Sequence, residues 1–98
     1  MEPLEEMRKS IDNIDNAIVA MFAERFKVTN KVGIFKAENQ LVSKDHEKEK
    51  LQFERMTELA EQYGLDPEFA QSYLEAVIDR VVKNHEQIAR SYNDGPAT

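Results

Sequence analysis

The chain has 98 residues, no cysteine and a net charge of −6. These features predict one domain without disulfides or thiolate metal sites, and the acidic charge argues against nucleic acid or an anionic membrane surface as a partner. The first residues lack the basic and apolar regions of a signal peptide, and no apolar run approaches the roughly 20 residues that span a bilayer, so a cytoplasmic protein is expected.

The first predicted helix runs from about Glu5 to Glu38. Its apolar residues recur at alternating steps of three and four, as in a helical seam. The members of this seam are Leu4, Met7, Ile11, Ile14, Ile18, Met21, Val28, Val32 and Phe35. Arg25 stands where the period requires an apolar side chain. A helix of this length is roughly 50 Å long and extends beyond its own domain. We therefore expect a twofold homodimer in which the second chain covers the seam.

A second helix is predicted after a short connection. Ser43 or Asp45 can act as its N-cap, and the helix should end at Tyr63, because Gly64 is a typical residue after a helix C-terminus.

The third predicted helix begins with Asp66 as its N-cap and Pro67 at its first position. Its predicted buried stripe consists of Phe69, Tyr73, Val77, Ile78, Val81, Ile88 and Tyr92, with His85 among them. The fold class is thus all-α, with three helices in a domain over residues 1–92 and a disordered tail over residues 93–98.

Two cations share one face of the first helix. Arg25 and Lys36 differ by about 20° around the helix axis and lie about three turns apart, which suits a ligand with two anionic groups. Arg8 lies about 100° away and would instead serve the pocket of a partner chain. In the alternative interpretation, Arg25 is a register residue or a snorkelling side chain, and the other two are ordinary surface charges.

A polar cluster is predicted near the start of the second helix. Asp45, Lys48, Glu49 and Gln52 share a face there. The first three are most simply a solvated helix start with a favourable dipole arrangement. His85, on the third helix, is either a satisfied core histidine or a functional one. No second ligand stands at helical spacing from His46 or His85, so no metal site is predicted.

Three segments carry a resemblance to a known family. Residues 7–15, 23–25 and 31–36, which read MRKSIDNID, AER and KVGIFK, resemble the all-helical chorismate mutases. The likeness extends over residues 4 to about 90. It implies three helices per chain, intertwined in a homodimer with two shared active sites. It also implies a cofactor-free rearrangement of the dicarboxylate chorismate to prephenate, in aromatic amino acid biosynthesis.

The resemblance also implies roles for the cations, position by position. Arg8 would reach one substrate carboxylate from the partner chain. Arg25 would bind a carboxylate within its own chain. Lys36 would contact a carboxylate and the ether oxygen of the substrate.

Further roles follow for the second and third helices. Glu49 would hold the ring hydroxyl, Asp45 would line the pocket, and residue 85 would donate the second hydrogen bond to the ether oxygen. Three positions depart from the pattern of well-known bacterial members. Lys48 replaces an arginine, Val81 replaces a serine and His85 replaces a glutamine. Lysine lacks the bidentate guanidinium and valine donates nothing, whereas histidine can still donate an N–H.

Three alternatives stay open at this point. One is an isochorismate pyruvate lyase of the same fold, against which the acidic Glu49 argues. Another is a mutase acting on 4-amino-4-deoxychorismate, because a carboxylate binds an amine as readily as a hydroxyl. The third is a helical dimerisation or regulatory module without catalytic activity, in which Arg25 only sets the helix register.

Overall fold

The computed structural model describes residues 2–42 and 44–94, except for the side chain of Asp94. These residues form three α-helices: α1 (Glu2–Glu38), α2 (His46–Tyr63) and α3 (Pro67–Asp94). No strand occurs within them, which confirms the all-α prediction. None of the three helices is both long enough and apolar enough to cross a membrane.

Helix α1 begins three residues earlier than predicted. Glu2 and Glu5 lie in its first turn, where their charges favour the helix dipole. Its C-terminal end is closed by Gln40, which adopts a left-handed conformation with φ 56°. The Leu41 N–H donates to the Lys36 carbonyl at 2.7 Å, and the Gln40 N–H donates to the Ala37 carbonyl at 3.3 Å. This pair of bonds is a Schellman motif, which fixes the direction of the connection to α2.

Helix α2 has the predicted cap and the predicted end. The Asp45 carboxylate accepts hydrogen bonds from the backbone N–H groups of Glu47 and Lys48 at 3.1 and 3.3 Å. The alternative cap, Ser43, lies outside the described residues. At the other end Gly64 has φ 72°, and the Leu65 N–H donates to the Ala60 carbonyl at 2.8 Å.

Helix α3 forms the core of the chain. Asp66 caps it, accepting a bond from the Glu68 N–H at 3.0 Å. Ala70, Leu74, Val77 and Ile78 are buried. The burial predicted for Phe69 and Tyr92 is wrong, since both are more than half exposed. Periodicity indicates which face seeks a partner, but not whether the same chain provides it. The helix continues through Asn93 to Asp94, which are the first two residues of the expected disordered tail, and residues 95–98 lie outside the described part.

Both other helices pack against α3. Helices α1 and α3 run parallel, because Phe22 contacts Tyr73 with ring centroids 5.5 Å apart, and Gly33, further along, lies against His85. Helix α2 runs antiparallel to α3 after the turn at Gly64. Consequently the end of α1, the start of α2 and the second half of α3 lie at the same end of the molecule.

The N-terminal half of α1 is left exposed by the rest of the described residues. The molecule measures 63 × 32 × 15 Å, and its radius of gyration of 17.7 Å exceeds the roughly 13 Å of a compact domain of this size. Only Gly33 and Ala37 are buried on α1. The nine residues of the predicted seam are between 43% and 66% exposed. A single chain therefore leaves the apolar seam open to solvent.

Candidate active site

Arg25 lies in apolar surroundings on α1. It is half-buried and lines a cavity of ≈ 380 Å³ together with Ile18, Phe22 and Tyr73. Within residues 2–42 and 44–94 it takes part in neither of the two ion pairs, which join Lys27 to Glu24 and Lys44 to Glu49. A guanidinium in an apolar cavity is costly unless an anion or hydrogen-bond acceptor meets it. The cavity therefore suits an anionic group from outside the chain.

Lys36 lies on the same helix near its C-terminal end. It is half-buried, and its backbone carbonyl belongs to the Schellman motif that ends α1. It follows Arg25 by roughly 17 Å along the helix axis at about 1.5 Å per residue. Their long side chains can approach one ligand between them only if that ligand lies along α1.

Arg8 does not join this pair within one chain. Its side chain is exposed, and it precedes Arg25 by roughly 25 Å along the straight course of α1. That separation exceeds the combined reach of two arginine side chains around a small dicarboxylate. One chain therefore brings Arg25 and Lys36 to one face and leaves Arg8 far from both.

The three charged residues of the predicted polar cluster on α2 lie in different environments. The Asp45 carboxylate accepts two backbone N–H groups as the N-cap, so it holds the start of the helix. Lys48 is exposed. The Glu49 side chain is only 18% exposed, and its Oε1 lies 3.9 Å from the Lys44 Nζ. Glu49 is thus the carboxylate of this cluster that faces the interior, and Lys44 is a neighbour that spacing did not predict.

His85 on α3 is buried, with 4% of its surface exposed. Its Nε2 lies 2.7 Å from the backbone carbonyl oxygen of Thr29 on α1. Its Nδ1 is buried without a hydrogen-bond partner among the described residues. Val81, one turn earlier on α3, is half-buried. The histidine is therefore a core residue by burial, yet the described residues provide a hydrogen-bond partner for only one of its two ring nitrogens.

Gly33 is a residue that sequence reasoning missed. A Cβ built at this position would lie 2.6 Å from His85 Cδ2 and 3.1 Å from Ile88 Cδ1. Only glycine gives the imidazole this room against α1. A glycine inside a long helix lowers stability by about 0.5–1 kcal/mol relative to alanine. This unfavourable placement is the sequence feature that could have indicated a close contact at position 33. No sequence feature distinguishes the Thr29 carbonyl as a hydrogen-bond acceptor for His85, because every residue has a backbone carbonyl.

One chain does not assemble all the predicted residues. Helix α3 packs against both α1 and α2, which do not pack closely against each other within the described ranges. Lys36 on α1, Glu49 on α2 and His85 on α3 lie at the same end of the molecule. A larger open cavity of ≈ 880 Å³ between α1 and α3 includes Asn30, Ile34 and other residues, but none of the predicted site residues.

The described residues contain no cluster of three or more histidine, aspartate or glutamate side chains that could hold a metal ion. The geometry instead consists of cations on α1, a carboxylate on α2 and a buried imidazole on α3. Such groups can bind an anionic ligand with a hydroxyl and an ether oxygen through charge and hydrogen bonds.

Comparison with known proteins relates this arrangement to a family. The model of the family chorismate mutase type II matches residues 7–86. The chain belongs to this family.

Two relatives are similar to this chain. The chorismate mutase of Methanocaldococcus jannaschii is 35% identical over 66 residues, which is 67% of this chain and 67% of that protein. The bifunctional chorismate mutase/prephenate dehydratase of Buchnera aphidicola is 28% identical over 85 residues, which is 87% of this chain and 22% of that protein. The chain therefore spans about a fifth of the bifunctional relative.

The matched segment of the chorismate mutase type II family contains every predicted site residue. These are Arg8, Arg25, Lys36, Asp45, Lys48, Glu49, Val81 and His85. The expected family membership is thus confirmed, while the role of each residue is a matter for the proposal that follows.

Proposed function

We propose that this chain is a chorismate mutase that rearranges chorismate to prephenate at two sites shared by a homodimer. Family membership and both relatives support this activity. The observation that carries the proposal is Arg25, a half-buried cation in an apolar cavity that makes no ion pair within residues 2–42 and 44–94. Chorismate is a dicarboxylate, and one of its carboxylates would supply the missing anion.

The reaction places few chemical demands on the protein. In a Claisen rearrangement the ether bond of the enolpyruvyl group breaks while a carbon–carbon bond forms across the ring, within one molecule. No nucleophile is needed. The protein has to hold the flexible substrate in its compact conformer and stabilise the negative charge that grows on the ether oxygen.

The cations on α1 fit both tasks. Arg25 would bind one carboxylate, and Lys36 would contact a carboxylate and the ether oxygen. Lys36 is half-buried, so its charge would act on the substrate with less screening by solvent than an exposed lysine provides. Local cations of this kind also permit an acidic protein to bind a dianion.

Glu49 and His85 complete the proposed site. The mostly buried Glu49 carboxylate would accept a hydrogen bond from the ring hydroxyl, and this favours the mutase over the isochorismate lyase. His85 would donate the second hydrogen bond to the ether oxygen. Asp45, Lys48 and Val81 would border the pocket, with Asp45 acting mainly through the start of α2.

The homodimer is part of the proposal. The exposed seam of α1 needs an apolar cover, and a second copy of the same seam is complementary to it. Two antiparallel α1 helices would also bring Arg8 of one chain towards Arg25 of the other, which a single chain keeps roughly 25 Å apart.

The decisive test is product analysis with purified protein. We expect incubation with chorismate to yield prephenate, and incubation with isochorismate to release no pyruvate. Arg25→Ala should lose most activity while circular dichroism shows the same helix content. Pyruvate released from isochorismate would support the lyase. Turnover restricted to 4-amino-4-deoxychorismate would support the amino analogue as substrate. No turnover of any of the three compounds would favour the dimerisation module.

A further inference from the structure

The hydrogen bond between His85 and Thr29 fixes where the imidazole carries its proton. A backbone carbonyl only accepts hydrogen bonds, so the Nε2 atom at 2.7 Å from the Thr29 oxygen has to carry a hydrogen. In the neutral ring, one nitrogen is a donor and the other an acceptor. The neutral form of His85 is therefore the Nε2–H tautomer, and Nδ1 then carries a lone pair.

The same contacts fix the orientation of the ring. His85 Cδ2 faces Gly33 so closely that a Cβ there would come within 2.6 Å. A half-turn of the ring would put a carbon where Nε2 stands and would break the bond to Thr29. The ring therefore keeps this orientation, and Nδ1 points away from Gly33 as a buried atom without a partner among residues 2–42 and 44–94.

These two facts restrict what His85 can do for a ligand. As a neutral ring it offers only a lone pair at Nδ1, which repels an ether oxygen that is gaining negative charge. As an imidazolium it offers a second N–H at Nδ1 and keeps the bond to Thr29. Only the charged ring can both remain docked on α1 and donate to the substrate.

A charge on the buried ring needs a ligand nearby. His85 is buried, with 4% of its surface exposed, and a buried charge is costly without a partner of opposite sign. Charged side chains of both signs occur on the three helices, among them Arg25 and Lys36 on α1, Lys48 and Glu49 on α2, and Lys83 and Glu86 on α3. A bound dicarboxylate would bring two negative charges towards the ring and stabilise the imidazolium.

We propose that His85 takes up a proton from solvent when the dicarboxylate substrate binds, and that the new Nδ1–H donates to the ether oxygen while Nε2–H stays on Thr29. This inference rests on the proposed function, since the dicarboxylate is the proposed substrate. The proton returns to solvent when the product leaves, so no net proton is consumed in a turnover.

Proton uptake can be measured directly by isothermal titration calorimetry. The ligand is the product prephenate, which keeps both carboxylates and carries the former ether oxygen as its ketone oxygen. It is titrated into the protein at about pH 8, where an ordinary histidine is neutral, in two buffers with different ionisation enthalpies. The difference in heat between the buffers gives the number of protons bound. We expect about one proton per site for the natural sequence and about none for His85→Gln, whose amide donates an N–H without a charge.

His46 provides the matched control, because it is the other histidine of the chain and is exposed. His46→Gln should keep the full uptake. Nitrogen NMR of the ring in the free protein should also show the Nε2–H tautomer for His85, a readout independent of ligand.

Each outcome has one meaning. Prephenate binding without proton uptake, uptake that persists in His85→Gln, or an Nδ1–H tautomer in the free protein would overturn the inference and leave the proposed function standing. A natural protein that neither binds prephenate nor converts chorismate would contradict the proposed function itself, and the inference with it.

Discussion

Gly33 of α1 and His85 of α3 are in direct contact, and the fit leaves no room for a side chain at position 33. A Cβ on Gly33 would lie 2.6 Å from the imidazole Cδ2, closer than carbon atoms approach without displacement. Because the same ring bonds the Thr29 carbonyl, this contact determines both how closely α3 approaches α1 and where Nδ1 points. The turn that follows on α1 carries Lys36, so helix spacing and the proposed site are linked.

Gly33→Ala should therefore reduce activity as well as stability. The added methyl group has to displace His85 or separate the helices, and such overpacking typically costs about 1–3 kcal/mol. Alanine recovers about 0.5–1 kcal/mol of helix stability, so we expect the free energy of unfolding to fall by a net amount of up to about 2 kcal/mol. We expect kcat to fall because the imidazole and Lys36 move. Urea denaturation and steady-state kinetics on chorismate would measure both effects.

Gly64→Ala is the matched control for that substitution. Gly64 has φ 72° and a Cβ there would meet nothing within 4 Å, so its cost is backbone strain alone, about 1–2 kcal/mol. Activity per folded molecule should be unchanged. Equal kinetic parameters for Gly33→Ala and the natural protein would show that the Gly33–His85 contact has no part in the site.

Most of the fold could be predicted from the sequence, because its signals are local. The caps at Asp45 and Asp66, the left-handed Gly64 and the long α1 period each depend on a few neighbouring residues. The exposure of Phe69 and Tyr92 could not be predicted, because it depends on which surfaces of the chain pack together. The left-handed conformation of Gln40 could not be predicted either, because most residues other than glycine avoid this conformation.

The site was predictable only in part. Arg25 interrupts an apolar period, and its half-buried position in an apolar cavity agrees with that signal. The Lys44 neighbour of Glu49 and the Thr29 carbonyl bonded to His85 depend on packing and local conformation that no spacing rule gives. The resemblance supplied the roles of the remaining residues, and these stay predictions until variants are tested.

The exposed seam predicts that dimerisation depends on α1. Ile11→Glu places a charge in the middle of the seam, where the residue is 55% exposed in one chain and would be buried between two. We expect the variant to sediment as a monomer or to lose its fold at micromolar concentration, because a buried unpaired charge is strongly unfavourable.

Leu51→Glu is the corresponding control on α2, where Leu51 is 59% exposed. The two variants add the same charge at residues of similar exposure, but only Ile11 lies in the apolar seam of α1. Sedimentation equilibrium should give a dimer for Leu51→Glu. A folded monomer of the natural protein at micromolar concentration would refute the proposed dimer.

Shared sites predict complementation between two inactive variants. Arg8→Ala and Arg25→Ala homodimers should each be nearly inactive, since each lacks one carboxylate contact at both sites. A heterodimer would contain one site with an intact Arg8 from one chain and an intact Arg25 from the other. Unfolding, mixing and refolding the two variants should therefore recover up to about a quarter of the natural activity, if chains pair at random and the sites act independently.

Two controls accompany the mixing experiment. Each variant is refolded alone, and heterodimers are verified by mass spectrometry with differently tagged chains. Verified heterodimers without activity would place Arg8 and Arg25 in a site made by one chain, which the length of α1 argues against.

The last prediction concerns the pH dependence of catalysis. If His85 donates from Nδ1, the donor exists only while the ring is protonated, because Nε2 is bonded to Thr29. Activity should therefore be high at low pH and decline as the pH rises and the ring loses its proton. Since kcat/KM reports the free enzyme and kcat reports the complex, and since bound substrate favours the imidazolium, the fall in kcat should come at a higher pH than the fall in kcat/KM. His85→Gln should remove both falls while retaining substantial activity, and His46→Gln should leave both unchanged.

His85→Leu, which has similar bulk but no donor, should lower kcat by about a hundredfold, as expected for one lost hydrogen bond to a developing oxyanion. Steady-state kinetics between about pH 5 and pH 9 would measure these profiles over the range in which histidine usually titrates. A leucine variant with normal turnover would show that His85 acts only as a packing residue between α1 and α3.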